Sequence, residues 1–449
     1  MKPSTIKCAL NILVLLLMHL ANVLTLDVKR QNEHFTPDYN IYHNLTSIQS
    51  FIEKFCEDNK NFVHLVEPDT YVSKNGRKQY VLRIRNYLIG DDTKFVKILL
   101  SFGEHAREFL PVETMFYMLE KMMQSFRSGI LDIDLNKIEL YIIVISNPDG
   151  RFHVEKTKNY CWRGTSTGVD INRNFEWEFG GKGSSSDPLD EEYRGPKPFS
   201  EPETNIYRHL TELVQFDGFL SLHSGVKQIY IPYADSVSQR TRRLPDNIEE
   251  MRKLAQLLST STVHIYRYGG ASILNGYTAD GTVFDYMAGI RKIPFSYAIE
   301  LWGTKDHKGP SCFDLFNPPN EKLKSVISEI YPMYVAFFNY ILDWKNRTMQ
   351  IHVQSQSVEV DGQIKQDDGS VLPYEPKSSR TKQLKRTEAL QVEMPSITPG
   401  FILLCIVVIV TVVLGFTGKY PVCRRWYQRR RVVNLRALSS TLSFNLFST

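Results

Sequence analysis

FVKILLSFGEHAREFLPVE, residues 95–113, is the stretch on which the fold turns. Its first half is a nearly solid apolar run, the pattern of a strand covered on both faces. From Pro111 through Leu119 to Met123 the apolar spacing becomes helical. A second run, IELYIIVIS (Ile138–Ser146), is too apolar on both faces for anything but a central strand. Ahead of both, YVLRIR from Tyr80 reads as a further strand, and TSIQSFIEKF (Thr46–Phe55) as a helix that Thr46 can cap. Downstream, Ser200-Glu-Pro-Glu203 carries the start signals of a helix reaching about Val214. Strand Phe219–His223, helix Asn247–Ser259, strand Phe295–Leu301 (FSYAIEL) and a long amphipathic helix, Glu321–Trp344, complete the pattern. This alternation predicts an α/β domain over about residues 38–345, with a mixed, mostly parallel central sheet and helices on both faces.

At 449 residues with 42% hydrophobic content, the chain is long enough for one large domain with attachments or for two ordinary ones. The ends decide between these. Lys2 and Lys7 precede an apolar run, Cys8–Leu26, which reads as a secretory signal over residues 1–26, with an uncleaved anchor as the alternative. Residues 346–396 are rich in Gln, Ser, Asp, Lys and Pro without a sustained apolar period, as a flexible polar stalk would be. Residues 400–418 (GFILLCIVVIVTVVLGFTG) carry no charge and have the length of a transmembrane helix. Beyond them, residues 419–449 hold Lys419, Arg424, Arg425, Arg429, Arg430, Arg431 and Arg436 without an acid. By the positive-inside rule this tail is cytoplasmic, and the topology is single-pass type I. Removing those seven takes the formal charge from +5 to −2, so no basic footprint for nucleic acid is spread over the fold. Of the exported cysteines, Cys56, Cys161 and Cys312, two can pair and one is left, in a pairing open at this level. Asn44-Leu-Thr46 and Asn346-Arg-Thr348 are glycosylation acceptors.

The chemistry gathers at strand ends. His105 and Glu108 follow the strand KILLSF, and imidazole and carboxylate are both zinc ligands. A catalytic zinc takes three protein ligands. The third candidate is His223, in FLSLHSG at the end of another buried strand, where ligands collect in open α/β sheets. Glu300, next to last in FSYAIEL, sets one more carboxylate at a strand terminus. Beside a zinc site such a group can take a proton from the attacking water and pass it to the leaving amine.

In order along the chain stand HARE (105–108), NPDGR (147–151), CWR (161–163), GVDINRN (168–174), FSEPET (199–204), HS (223–224), YTADGTVFDY (277–286) and IEL (299–301). With these the sequence resembles zinc carboxypeptidases of the carboxypeptidase A type over roughly residues 38–345. GEHARE, GVDINRN and PFSEPE look most like the branch that includes plant and protist members. The resemblance implies a mixed eight-stranded twisted sheet flanked by helices and one zinc ion, with His105, Glu108 and His223 as ligands and Glu300 as general base and acid. It implies further that Arg163 stabilises the oxyanion and that Asn172 and Arg173 clamp the substrate's terminal carboxylate. Tyr277 closes over that terminus, Arg107 makes a contact further along the substrate, and Asp170 orients a zinc-bound imidazole.

The enzyme so implied removes C-terminal residues from peptides or proteins, because a clamp on a free carboxylate lets only the last peptide bond reach the metal. Phe284 aligns with the base of the side-chain pocket, with Ala234, Gly276 and Ala298 nearby and no acid among them, which favours apolar or aromatic ends unless Lys227 reaches inward. Family members with a propeptide carry it ahead of the domain. Here no room is expected for one between the signal and residue 38, and activity without zymogen cleavage is the expectation. Two other readings stand beside this one: a peptidase-like cell-surface binding protein, and a hydrolase of acidic or amino-acid-conjugate substrates.

Overall fold

Eight strands, β1 (Val63–Leu65), β2 (Val81–Ile84), β3 (Val96–Ser101), β4 (Ile138–Ile143), β5 (Gly218–His223), β6 (Lys227–Ile231), β7 (Arg267–Gly270) and β8 (Phe295–Leu301), form one sheet in the order β1-β2-β4-β3-β5-β8-β6-β7. A computed structural model describes residues 36–364, apart from position 68 and residues 91–94 and 304–311, and gives the backbone alone over 351–364. The proposed signal at 1–26, the stalk from 365 to 396, the span at 400–418 and the tail at 419–449 lie outside the described residues. Strands β4, β3, β5 and β8 run parallel at the centre. Antiparallel neighbours join on both sides, β2 on β4 and β6 on β8, so the sheet is mixed as the alternation predicts.

Ten helices cover it among the described residues: α1 (Leu45–Asp58), α2 (Leu110–Ser128), α3 (Pro148–Thr157), α4 (Pro202–Leu213), α5 (Ser236–Thr241), α6 (Ile248–Thr260), α7 (Ala271–Leu274), α8 (Val283–Gly289), α9 (Cys312–Phe316) and α10 (Leu323–Ile364). The two-residue period of a strand divides the central side chains between the faces. Ile98, Leu100, Leu140, Ile142, Leu220 and Leu222 pack with residues of α1, α2, α6 and α10. Leu99, Tyr141, Ile143 and Phe219 pack with residues of α4 and α8. Each such aliphatic or aromatic side chain stabilises the fold by roughly 1.5–3 kcal/mol on burial, so both faces need a cover and the solid apolar runs follow.

Local differences from the sequence reading have local causes. The cap of α1 is Asn44, whose side chain accepts from Ser47 N at 2.8 Å, two residues before Thr46. Helix α10 continues past residue 345 to Ile364, into the segment read as stalk. Residues 346–361 contain neither Gly nor Pro, so no helix breaker interrupts the continuation. Cys161 pairs with Cys312 and leaves Cys56 as the free thiol, the pairing that spacing alone left open. No helix among the described residues is long and apolar enough to cross a membrane.

The register decides where chemistry gathers. Ser101 of β3 stands opposite Ser221 of β5, and His223 of β5 opposite Glu300 of β8. Three parallel strands therefore end side by side, which brings distant segments of sequence to one edge.

Candidate active site

Two residues after β3, Gly103 takes φ 66°, a left-handed conformation that glycine adopts without a steric penalty. The chain turns there, and Glu104, His105 and Glu108 follow before α2 begins. His105 Nδ1 lies 2.7 Å from Glu108 Oε1. His223 Nδ1 lies 3.0 Å from Glu108 Oε2 and 3.1 Å from His105 Nδ1. All three side chains are buried, and they make the one group of at least three such ligands found among the described residues.

Ligands at zinc–nitrogen and zinc–oxygen distances in tetrahedral geometry stand roughly 3.3 Å apart. This triangle is slightly tighter, and its nitrogen-and-oxygen donor set suits a catalytic zinc with one position open. Charge agrees with geometry. Four carboxylates, Glu104, Glu108, Asp170 and Glu300, crowd around two imidazoles and the Arg163 guanidinium, a setting rich in acceptors that suits a cation. Without one, burial disfavours the Glu108 carboxylate, but His105 and His223 hold it well below the usual range. Burial likewise opposes charge on His223, while Glu104 and Glu108 raise it well above its ordinary value.

Asp170, fully buried, brackets the site from the loop before a short 3-10 turn, Ile171–Arg173. Its Oδ1 is 3.2 Å from His105 Nε2, and its Oδ2 accepts from Arg163 Nε at 2.8 Å. The pairing leaves the Arg163 Nη1 edge 3.2 Å from His105 Nδ1, facing the ligand triangle. Nearby, Glu300 Oε2 is buried without a hydrogen-bond partner among the described residues, and burial together with Glu108 raises its carboxyl to about 7.

The 3-10 turn fixes two more predicted residues. Asn172 Oδ1 accepts from Val283 N at 2.9 Å, which turns Nδ2 toward His223. Arg173 donates from Nε to Gly183 O at 2.8 Å, from Nη1 to Asn172 O at 2.9 Å and from Nη2 to Glu192 at 3.0 Å. Gly281, at φ 79°, lets the 277–286 segment approach this turn, since a Cβ there would meet Arg173 O at 2.5 Å. Tyr277 is 57% exposed. With Lys182, Glu192 and Gln239 it borders a cavity of about 430 Å³.

The outer residues are held separately. Arg107 donates to Cys161 O at 3.1 Å, pairs with Glu191 at 2.7 Å and lies over the Phe316 ring. Phe284 is buried in the apolar cluster that also holds Ala234 and Ala298, whereas Gly276 lines the cavity beside Tyr277. The Lys227 ammonium lies over the Trp302 ring at 4.9 Å.

Sequence reasoning passed over Glu104, Ser221 and Glu192. Glu104 is 1% exposed, with its Oε2 3.2 Å from His223 Nε2 but out of hydrogen-bond alignment. Ser221 Oγ lies 2.7 Å from that same nitrogen. A glutamate immediately before a ligand histidine was the available signal, but only the strand register shows which imidazole it meets.

The sequence profile of zinc carboxypeptidases matches residues 48–332. Carboxypeptidase A5 of Homo sapiens is 28% identical over 284 residues, covering 59% of this chain and 61% of that protein. Carboxypeptidase A2 of Rattus norvegicus is 28% identical over 283 residues, covering 60% of this chain and 64% of that one. The chain thus spans less than two thirds of the length of these relatives. Bovine thrombin-activatable fibrinolysis inhibitor, solved in complex with a tick carboxypeptidase inhibitor, superposes with a TM-score of 0.58 at 24% identity over 68% of this chain and 99% of that one. Carboxypeptidase A from Helicoverpa armigera gives 0.58 at 23% identity over 72% and 81%. Both share the fold.

Proposed function

The chain belongs to the zinc carboxypeptidase family, and from that premise we propose that it is a metal-dependent exopeptidase acting on the C-terminal peptide bond of peptides or proteins. The observation that carries the reading is the convergence of His105, Glu108 and His223 on one point, with the Glu300 carboxyl near enough to feel the charge of all three. A bound zinc ion would polarise the scissile carbonyl and lower the pKa of a water molecule at the open position. His105, Glu108 and His223 would hold that ion, and Asp170 sets the His105 ring.

Glu300 accepts the proton of the attacking water and returns it to the departing amine, a task suited to a carboxyl whose pKa is raised toward neutrality. Arg163, anchored by Asp170, donates to the oxygen that gains charge in the transition state. Asn172 and Arg173 bind the terminal carboxylate, and Tyr277 covers it. Arg107, outside the triangle, meets substrate residues further from the end. Phe284, with Ala234 and Ala298, supports a preference for apolar or aromatic C-terminal side chains.

The remaining parts of the proposal rest on sequence. Residues 1–26 export the domain, and 400–418 anchor it in a type I orientation, with the catalytic part extracellular or luminal. Asn346, exposed on α10, is the more accessible glycan acceptor, since Asn44 is half-buried at the cap of α1. The motifs nearest plant and protist members set its branch.

The test uses the full-length protein in detergent with N-blocked dipeptides that vary at the C-terminal residue, each as free acid and as amide. Release of the last residue from the acids alone, abolished by a zinc chelator and restored by zinc, is expected. Turnover of the amides at the rate of the acids, or turnover indifferent to chelation, would refute the reading.

A further inference from the structure

We propose that Glu104 is a positioning residue for the metal site, fixing the His223 imidazole through Ser221 as Asp170 fixes that of His105. The proposal rests on the reading that His105, Glu108 and His223 hold the metal. Glu104 follows the turn at Gly103, three residues after β3, within reach of β5, because Ser101 and Ser221 are paired in register. Its Oε1 accepts from Ser101 Oγ at 2.7 Å, from Ser221 Oγ at 2.8 Å and from Tyr207 OH at 3.3 Å.

Proton counting gives this arrangement a direction. A carboxylate only accepts, and a serine hydroxyl has one hydrogen. Ser221 therefore spends its hydrogen on Glu104 Oε1, and its oxygen, 2.7 Å from His223 Nε2, accepts. With Nδ1 turned to the cation, Nε2 carries the hydrogen and gives it to Ser221 rather than to the Asn172 amide nitrogen 3.3 Å away, itself a donor, and the Nδ1 lone pair points at Glu108 and His105. The Glu104 Oε2 atom, buried and 3.2 Å from Nε2, holds negative charge against the back of that ring.

On the other imidazole, Asp170 Oδ1 faces Nε2 directly and leaves Nδ1 toward the same point. Both rings thus present Nδ1, each from a carboxylate behind it, one in contact and one relayed by a hydroxyl. Such outer partners set tautomer and ring orientation, and losing one typically lowers metal affinity by roughly 10–100-fold. Tyr207 of α4 and Ser146 extend the network away from the metal, with Tyr207 OH 2.6 Å from Ser146 Oγ, so the carboxylate is braced from the second face of the sheet.

The experiment measures zinc affinity of the full-length protein by competition with a chelating dye, for wild type, Glu104→Gln, Ser221→Ala and the double variant. Thermal unfolding of each metal-free protein reports folding separately. Both single variants should bind zinc roughly 10–100-fold more weakly, and the double variant no more weakly than the worse single one, because the two residues form one relay. Wild-type affinity in either single variant, or additive losses in the double variant, would overturn the relay. Should Glu104→Gln fail to fold, Ser221→Ala decides, since it removes one buried oxygen and leaves the carboxylate in place. A wild-type protein that binds no zinc would instead overturn the metal reading beneath it.

Discussion

Replacing Arg173 tests the carboxylate clamp most directly, because the structure counts the donors it has to offer. A guanidinium carries five N–H groups. Three are committed, to Gly183 O, Asn172 O and Glu192. One hydrogen remains on each Nη, the pair that a carboxylate engages bidentately. Hydrogen bonds to charged groups contribute about 1.5–3 kcal/mol each, so losing two costs about 3–6 kcal/mol, a fall in kcat/KM of roughly 10²- to 10⁴-fold for Arg173→Ala. Arg173→Lys keeps the charge without the fork and should lie between.

Glu192 supplies an internal control, since its carboxylate already occupies one edge of the same guanidinium. Freeing that edge with Glu192→Gln should lower KM for free-acid substrates. Steady-state rates on blocked dipeptides, with zinc content and unfolding temperature checked for each variant, measure all three. If folded, zinc-loaded Arg173→Ala stays within threefold of wild type on free acids, Arg173 does not bind the terminal carboxylate.

Glu300→Gln should retain zinc and lose roughly 10²–10⁴-fold in kcat, and a full rate would remove the general-base assignment. Its ionisation also sets a pH dependence. As a base it must be charged, so kcat/KM should rise with pH along an acid limb lying below the value of about 7 reached without a cation, because a dication nearby favours the carboxylate. In the metal-free protein the raised pKa means that the folded chain holds this proton more tightly than the unfolded one. The resulting stability is complete below about 4.5 and is lost as pH rises through about 7, a slope that Glu300→Gln should flatten in denaturant titrations. The Cys161–Cys312 bond closes a long loop and carries the segment leading to Arg163, so a Cys161→Ser, Cys312→Ser protein should lose about 2–5 kcal/mol by the same titrations. Unchanged stability would show that the bond does not constrain the chain. Phe284→Asp should shift preference toward basic C-terminal residues while lowering the unfolding temperature, as loss of a buried aromatic costs about 3–5 kcal/mol. An unchanged preference in folded protein would take Phe284 out of the pocket.

The apolar runs at 95–102, 138–146 and 219–223 declared themselves as central strands because a strand covered on both faces is apolar at most positions rather than at every second one. β6 and β7 carried no such signal. They lie toward one edge of the sheet, where fewer apolar positions are demanded, and Arg267–Gly270 consists of residues that composition assigns to a turn. The candidate metal ligands were legible for a related reason. Zinc accepts few side-chain types, and motif order tied His105, Glu108 and His223 to a known pattern.

Sequence alone could therefore determine the class of fold, the strands that build its centre, and the candidate metal-ligating residues at their ends. These depend on what each residue can bury or coordinate by itself. Only the tertiary structure decided that Cys161 takes Cys312, that Asn172 turns its amide toward His223, and that Glu104 meets the second imidazole rather than the first. Each of these is a distance between segments far apart in the chain, fixed by strand register and by turns such as that at Gly103, and no local pattern encodes it.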